Sequence, residues 1–387
     1  MAMRCDVLVV GGGPVGCIAA ASLSQSLDVK VLEEHPRVGE PVQCAGLVTP
    51  RVVEMASAND TIINHIDGVC LHFPGGRTLS LQGEEVKAVV VDRGEFDRRC
   101  SERAIKAGAE VLTSHRCLSV KRSADGITAS LSDGTVDCRA ILAADGYRST
   151  VAQQLGLGKA MEVVRGIEVD LQIRADDQHR VQVFLGQSIA PGFFAWAIPC
   201  GDLTRVGLCI SSEDGTPQKF LNELLQRNEW NDVEKVRTYS GVIPLGSLKR
   251  TYADNVLIAG DAAGMAKPLS GGGLFTGMTA GGMAADVLRG AFQSNDLSAR
   301  RLSDYERQWK LVFGNELRRS YRVRRVFARM TDLDLDKVGG KLDRGNVTSI
   351  LATGDIDFPT ALAPRVLKAS PSLLAFSPLL LLRLLRR

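Results

Sequence analysis

Three glycines, Gly11, Gly13 and Gly16, stand in the spacing G-x-G-x-x-G between an apolar run at 5–10 and an alanine-rich stretch at 17–27. A strand that turns through such a loop into a helix leaves backbone amides and the positive end of the helix available to a pyrophosphate. Glu33 follows at the end of the next apolar run, 29–34, where a carboxylate can hydrogen-bond the hydroxyls of a ribose. Glu34 is one register away, and strand alternation turns its side chain to the other face. The implied chemistry is the binding of a dinucleotide, whose identity the glycines leave open.

Two later segments choose among dinucleotides. Ala143-Ala144-Asp145-Gly146-Tyr147-Arg148-Ser149 and Val256-Leu257-Ile258-Ala259-Gly260-Asp261-Ala262-Ala263 resemble two further fingerprints of FAD-dependent reductases and hydroxylases, neither of which a nicotinamide dehydrogenase needs. Asp261 ends a strand ahead of Leu269-Ser270-Gly271-Gly272-Gly273-Leu274, which sets a carboxylate by a ribityl chain and free amides near the ring. The expected cofactor is FAD.

Two segments are more particular. Glu40-Pro41-Val42-Gln43-Cys44-Ala45-Gly46-Leu47 and Ala190-Pro191-Gly192-Phe193-Phe194-Ala195-Trp196-Ala197-Ile198-Pro199 resemble the geranylgeranyl reductase family, whose archaeal members saturate the chains of membrane ether lipids. The resemblance covers roughly residues 4–300. It departs in two places: the family's Y-x-W-x-F-P reads Phe194-x-Trp196-x-Ile198-Pro199 here, losing a phenolic hydroxyl, and the pattern after Cys44 is one residue shorter. Carried over by position, the resemblance implies flavin contacts at Val15, Glu33, Cys44, Ala45, Gly46, Arg93, Cys117, Asp261, Gly273 and Leu274. It also implies a prenylated lipid as substrate, with the reductant open among a ferredoxin, the deazaflavin F420 and NAD(P)H.

Some of these positions carry a physical reading of their own. Arg93 is expected between a strand and a helix at 96–107, as a phosphate or ring partner; a solvated surface arginine is the alternative. Cys117 offers a backbone contact only. Cys44 lies in a Pro/Gly-bounded loop, where a thiol can shape the pocket beside the flavin or move a proton. An isolated alkene has no carbonyl to take up electron density, so hydride addition needs a proton at the other carbon, and positive charge builds at the tertiary carbon. Phe193, Phe194 and Trp196 can give an apolar trough and ring faces toward that charge, about 0.5–2 kcal/mol per favourable ring. Cys44, Phe194 and Trp196 are therefore the candidate catalytic positions, with core packing as the competing reading of the aromatics. Three rival functions stand beside the lipid reductase: a flavin monooxygenase or hydroxylase of the same fold, a flavoprotein passing electrons to a quinone or protein partner, and saturation of another polyprenyl, such as a menaquinone tail or the geranylgeranyl chain of a chlorophyll precursor.

The elements that must position these residues follow from periodicity. The opening 5–34 reads as βαβ, a hairpin is expected at 68–81, and short strands at 110–122, 127–131 and 136–143 are punctuated by Asp-Gly turns. Spaced β-like segments at 166–173, 180–185, 193–198 and 204–211 follow, with one helix at 217–228, before strand character returns at 255–259. The fold class is α/β: a glutathione-reductase-like, Rossmann FAD-binding domain with an inserted antiparallel-sheet substrate domain, as in p-hydroxybenzoate hydroxylase-like flavoproteins. The expected domains are 1–160 with 245–298 for the cofactor, 161–244 with a hairpin at about 68–92 for the substrate, and a helical region at 299–387.

A chain of 387 residues with 39 glycines and a net charge of +3 suits a globular enzyme of two domains and gives no reason to expect a nucleic-acid partner. Nine cysteines without a C-x-x-C pair argue against a zinc or iron–sulfur site and read as thiols of a reducing compartment. The amino terminus reads as a strand, and no stretch of 18 uninterrupted apolar residues occurs. A cytoplasmic protein is expected. The leucine cluster ending in arginines at 371–387 is suited to a peripheral membrane contact or to docking on the protein's own surface.

Overall fold

The computed structural model describes residues 3–123, 126–211, 215–228 and 230–375. The amino-terminal apolar run is the strand Met3–Val10, with Val7, Leu8 and Val9 fully buried, as a central parallel strand covered on both faces requires. Val29–Leu32 and then Glu110–Leu112 extend the sheet in parallel on one side, and Thr135–Ala143 and Val256–Ile258 on the other. Tyr252–Ala253 closes that edge antiparallel. Ser119–Ser123 and Gly126–Ser130 form an antiparallel ribbon on the first half of Thr135–Ala143. The expected single run at 110–122 is thus two strands. Of the turn joining the ribbon, Ala124 and Asp125 lie outside the described residues.

Helix Pro14–Leu23 packs between helices Arg93–Lys106 and Leu274–Gln293. The second crossing is close because Gly277 and Gly281 lie under Val15: a Cβ on them would come within 2.7 Å of Val15 Cγ2 and 2.8 Å of Val15 O, respectively.

The second sheet has the order Lys235–Leu245, Glu162–Leu171, Leu203–Ile210, Ala195–Cys200, Arg180–Phe184, Gly68–His72, Thr78–Gln82. Its pairs are antiparallel apart from Arg180–Phe184 with Gly68–His72, which is parallel, so the hairpin from early in the chain completes a sheet built mostly from later residues. On one face the amphipathic helix Pro217–Arg227 buries Phe220, Leu221, Leu224 and Leu225 against Val169, Leu171, Val206 and Leu208. The alternate residues Glu168, Asp170, Arg205, Gly207 and Trp196 occupy the opposite face. A small third sheet of Leu47–Val48, Ala88–Val91 and Ile62–Ile66 joins the two.

The carboxy-terminal helices return to both sheets. Tyr305 donates to Ile258 O at 2.8 Å and the Trp309 indole to Thr251 Oγ1 at 3.0 Å, while Met330 and Leu335 pack on Phe73 and Leu79 of the hairpin. No helix among the described residues is long and apolar enough to cross a membrane. Most of the 371–387 segment, from 376 onward, lies outside the described residues.

Candidate functional site

The glycines of the first loop divide by task. Gly11 has φ +110°, and a Cβ there would sit 2.2 Å from Ala144 O; a Cβ on Gly16 would sit 2.1 Å from Gly11 O. Both are required by the backbone itself. A Cβ on Gly13 would meet nothing within 4 Å, so the fold itself does not require a glycine there and that side of the loop is open. Helix Pro14–Leu23 begins there with no side-chain cap, and the amides of Val15 and Gly16 have no intrahelical partner. Val15 turns its side chain to Gly260 and Gly277, which leaves its backbone for any ligand contact. Glu33 accepts from Gly12 N at 3.1 Å and from His35 N at 2.9 Å, so the carboxylate also clamps the loop. Glu34 instead reaches Arg116 on the surface, 3.4 Å away.

A second helix amino terminus lies across the Val15 contact. Helix Leu274–Gln293 likewise starts without a side-chain cap, at Gly273, whose absent Cβ would lie 3.0 Å from Asp261 Oδ1. The Asp261 carboxylate accepts no hydrogen bond among the described residues, and burial pushes it up to about 6 against the pull of Arg93. The loop before the helix is closed by Lys267 N to Gly272 O at 3.0 Å and Gly271 N to Lys267 O at 2.8 Å. Lys267, itself buried, pairs with buried Asp357 at 2.5 Å, and Asp357 also accepts from Thr49 Oγ1 at 2.7 Å. Asp145 keeps a buried Oδ1 without a partner, and burial raises its carboxyl.

These features fit a flavin dinucleotide. Two uncapped helix amino termini, an open face at Gly13 and two incompletely partnered carboxyls suit a pyrophosphate flanked by hydroxyl-bearing groups. Cys117 is buried, burial and then Asp145 push its thiol up to about 12, and its Sγ lies 3.8 Å from Ser119 O.

The third group surrounds the Cys44 loop. Arg93 does not precede the helix at 96, as the sequence suggests; it opens helix Arg93–Lys106, because the Asp92 side chain accepts from Glu95 N and caps it there. Its guanidinium binds Asp97 at 2.9 and 3.1 Å. Burial draws the guanidinium pKa down, but Asp97 and then Cys44 more than offset it, which leaves it above the usual arginine range. Gly46, at φ +73°, passes 3.2 Å from Arg205 Nη1 at its would-be Cβ, and Arg205 donates to Ala45 O at 2.8 Å. Arg205 also pairs with buried Asp170 at 2.7 Å. The half-exposed Cys44 and its two followers therefore lie over the inner face of the second sheet.

The aromatic positions form a row on that face. Strand Ala195–Cys200 starts two residues later than the expected 193, because Phe193 and Phe194 sit in a turn closed by Phe193 N to Ala190 O at 3.0 Å. Phe193 stacks on Phe194 at 4.5 Å, Phe194 meets Trp196 edge-on at 6.0 Å, and Phe193 comes 3.4 Å from the would-be Cβ of Gly271. The row runs from the second glycine loop to the sheet. Arg324, itself buried, lies 4.9 Å over the Phe193 ring and donates to Gly192 O at 2.7 Å.

One residue of the face was missed from the sequence. Glu168 is 4% exposed, and neither carboxylate oxygen has a hydrogen-bond partner. Its signal was the alternation of two acidic residues, Glu168 and Asp170, with the apolar Ile167, Val169 and Leu171 of the same strand.

Residues 4–308 match the FAD binding domain family. A digeranylgeranylglycerophospholipid reductase of Methanothrix thermoacetophila is 33% identical, over 94% of this chain and 98% of its own. A geranylgeranyl bacteriochlorophyll reductase-like protein of Thermoplasma acidophilum superimposes with a TM-score of 0.88 at 24% identity, over 98% of this chain and 100% of its own. A flavin-dependent brominase shares the fold at a TM-score of 0.73 and 14% identity, over 96% and 100%.

Proposed function

We propose that this chain, which belongs to the FAD binding domain family, is an FAD-dependent reductase that saturates carbon–carbon double bonds of geranylgeranyl chains carried on a glycerophospholipid. The observation that carries the reading is the row Phe193, Phe194 and Trp196, packed with Val164, Ile243, Leu245 and Ala266 and running up to the glycine loop of the cofactor region. A hydroxylase would be expected to hold a polar aromatic substrate by matched hydrogen bonds, whereas this row offers ring faces and aliphatic neighbours.

In this reading, the amides at Gly13, Val15 and Gly16 hold the pyrophosphate and Glu33 a ribose. Gly273, Leu274 and Asp261 take the middle of the cofactor, and Arg93 with Cys44, Ala45 and Gly46 the side facing the substrate sheet. Bound and reduced, FAD supplies a hydride. Phe194 and Trp196 line the trough for the chain and face the tertiary carbon where positive charge develops. Cys44 borders the same space from the loop. The physiological reductant belongs to the class of low-potential carriers named above, a ferredoxin, F420 or NAD(P)H.

The test is anaerobic incubation of the FAD-loaded, chemically reduced protein with a geranylgeranylated glycerophospholipid, followed by product mass. Gains in steps of two hydrogens with flavin reoxidation support the reading. No gain, with rapid reoxidation by oxygen or a quinone, transfers it to the hydroxylase or electron-transfer function. A lipid substrate also motivates a peripheral membrane contact through 371–387; deletion of that segment should abolish co-sedimentation with anionic liposomes, and unchanged binding would end the idea.

A further inference from the structure

The reduction of an isolated alkene needs an acid; the sequence offers the half-exposed Cys44 thiol, and the structure adds a buried carboxyl beside the aromatic row. Glu168 has the required position. It projects from the inner face of strand Glu162–Leu171, in register with Gly207 and, one strand further, Trp196. Gly207 is what lets the two approach: a Cβ there would lie 2.5 Å from Glu168 Cβ and 2.8 Å from Trp196 Cε2 and Cζ2. The indole Nε1 is buried without a hydrogen-bond partner, as are both Glu168 oxygens. Three unpartnered polar atoms thus meet beside the aromatic row and under the Cys44 loop. Buried polar groups are ordinarily hydrogen-bonded, so three left unpaired in one place point to a ligand or a reaction there.

We propose that Glu168 is the proton donor of the reaction, delivering its carboxyl hydrogen to one alkene carbon while the other receives the hydride. The proposal rests on the reductase reading. The balance is simple. One carbon–carbon π bond is lost and two C–H bonds form; both electrons arrive with the hydride from the reduced flavin, the proton comes from Glu168, and the carboxylate left behind regains a proton from solvent before the next turnover.

The surroundings suit both protonation states. Burial pushes Glu168 up to about 7, with Arg205 opposing and Asp170 reinforcing, so the acid is present in the neutral range. Arg205 and Arg93 favour the carboxylate once it forms. Other acids on the face are less suited. Both oxygens of Asp170 are engaged by Arg205 and Tyr239, and burial followed by Glu168 pushes the Cys209 thiol up to about 12. Tyr239, paired with Glu168 across the sheet, is raised by burial and by Asp170.

The experiment compares wild type, Glu168→Gln, Glu168→Asp and Cys44→Ser in three measurements. Difference infrared spectra of the apoprotein against Glu168→Gln should isolate a buried carboxyl band that disappears with a midpoint near neutral pH. FAD affinity of Glu168→Gln should remain that of wild type, while its alkene reduction falls about 10²–10⁴-fold. The wild-type rate should decline as pH rises through about 7, and Glu168→Asp and Cys44→Ser should keep that decline whatever their absolute rates. If Glu168→Gln does not fold, the Asp variant and the wild-type pH profile carry the test: a flat profile overturns the proposal. Reduction by Glu168→Gln at the wild-type rate, or no titrating band, removes Glu168 while the reductase function stands. A wild type that forms no reduced lipid removes the function and the proposal together.

Discussion

Replacing Asp357 with Ala strands the ammonium of Lys267, whose side chain is 6% exposed, with one remaining acceptor, Ile356 O at 3.2 Å. Breaking a buried pair from one side costs about 3–5 kcal/mol, because the surviving charge stays desolvated. Loss of the Thr49 hydrogen bond lies within that figure. With an unfolding entropy of about 2.1 cal/mol/K per residue, a chain of 387 residues has about 0.8 kcal/mol/K, so 4 kcal/mol lowers Tm by about 5 °C. Lys267→Met should cost less, about 1–3 kcal/mol, since Asp357 keeps Thr49 Oγ1 at 2.7 Å and Arg51 Nε at 3.4 Å. The double variant carries no stranded charge and should be more stable than Asp357→Ala alone. Thermal unfolding followed by circular dichroism, in low and high salt, reads all three, and a buried pair should respond little to salt. A double variant whose loss equals the sum of the single losses would refute the coupling. Because Lys267 closes the loop ahead of Gly273, FAD affinity should fall with the Asp357→Ala stability loss.

Gly11→Ala should destabilise the apoprotein by about 2 kcal/mol or more, since it combines positive φ with a backbone clash. Gly13→Ala should leave apoprotein stability within about 0.5 kcal/mol yet weaken FAD by about tenfold; equal apoprotein losses in denaturant melts would contradict the division of tasks. Asp261 has a folded pKa of about 6, above its ordinary 3.8, so its contribution to stability is fully present below about pH 4 and lost as pH rises through about 6. Apoprotein carrying Asp261→Asn should therefore gain on wild type above about pH 6 and lose that gain toward pH 4 in melts across pH. Trp196→Leu should slow alkene reduction more than it weakens FAD binding, measured by turnover and by flavin titration; equal loss of both would return Trp196 to the core.

The first cofactor loop was legible because its signals are local: glycine spacing, a buried valine run and a carboxylate one strand away lie within 5–34. The carboxylate's second task, clamping Gly12 N, was not visible, since it depends on the turn geometry. Helix Arg93–Lys106 starts three residues ahead of the position its periodicity indicates because Asp92, a residue type favoured as a cap, ends the preceding strand there. Glu168 escaped because its meaning comes from Gly207 and Trp196, nearly 40 and 30 residues away in sequence and adjacent only through pairing across the sheet. The Lys267–Asp357 pair spans 90 residues and obeys no periodicity at all.

The parallel pairing of Gly68–His72 with Arg180–Phe184 sets a schedule for biosynthesis. The hairpin leaves the ribosome 112 residues ahead of the strand that covers its edge, as 180 less 68 gives. At about 5–20 residues per second that is a wait of roughly 6–22 s with an uncovered β edge. During that interval the nascent chain offers other strands a template, and slower elongation or higher temperature should raise the share of protein lost to aggregation before the sheet is complete.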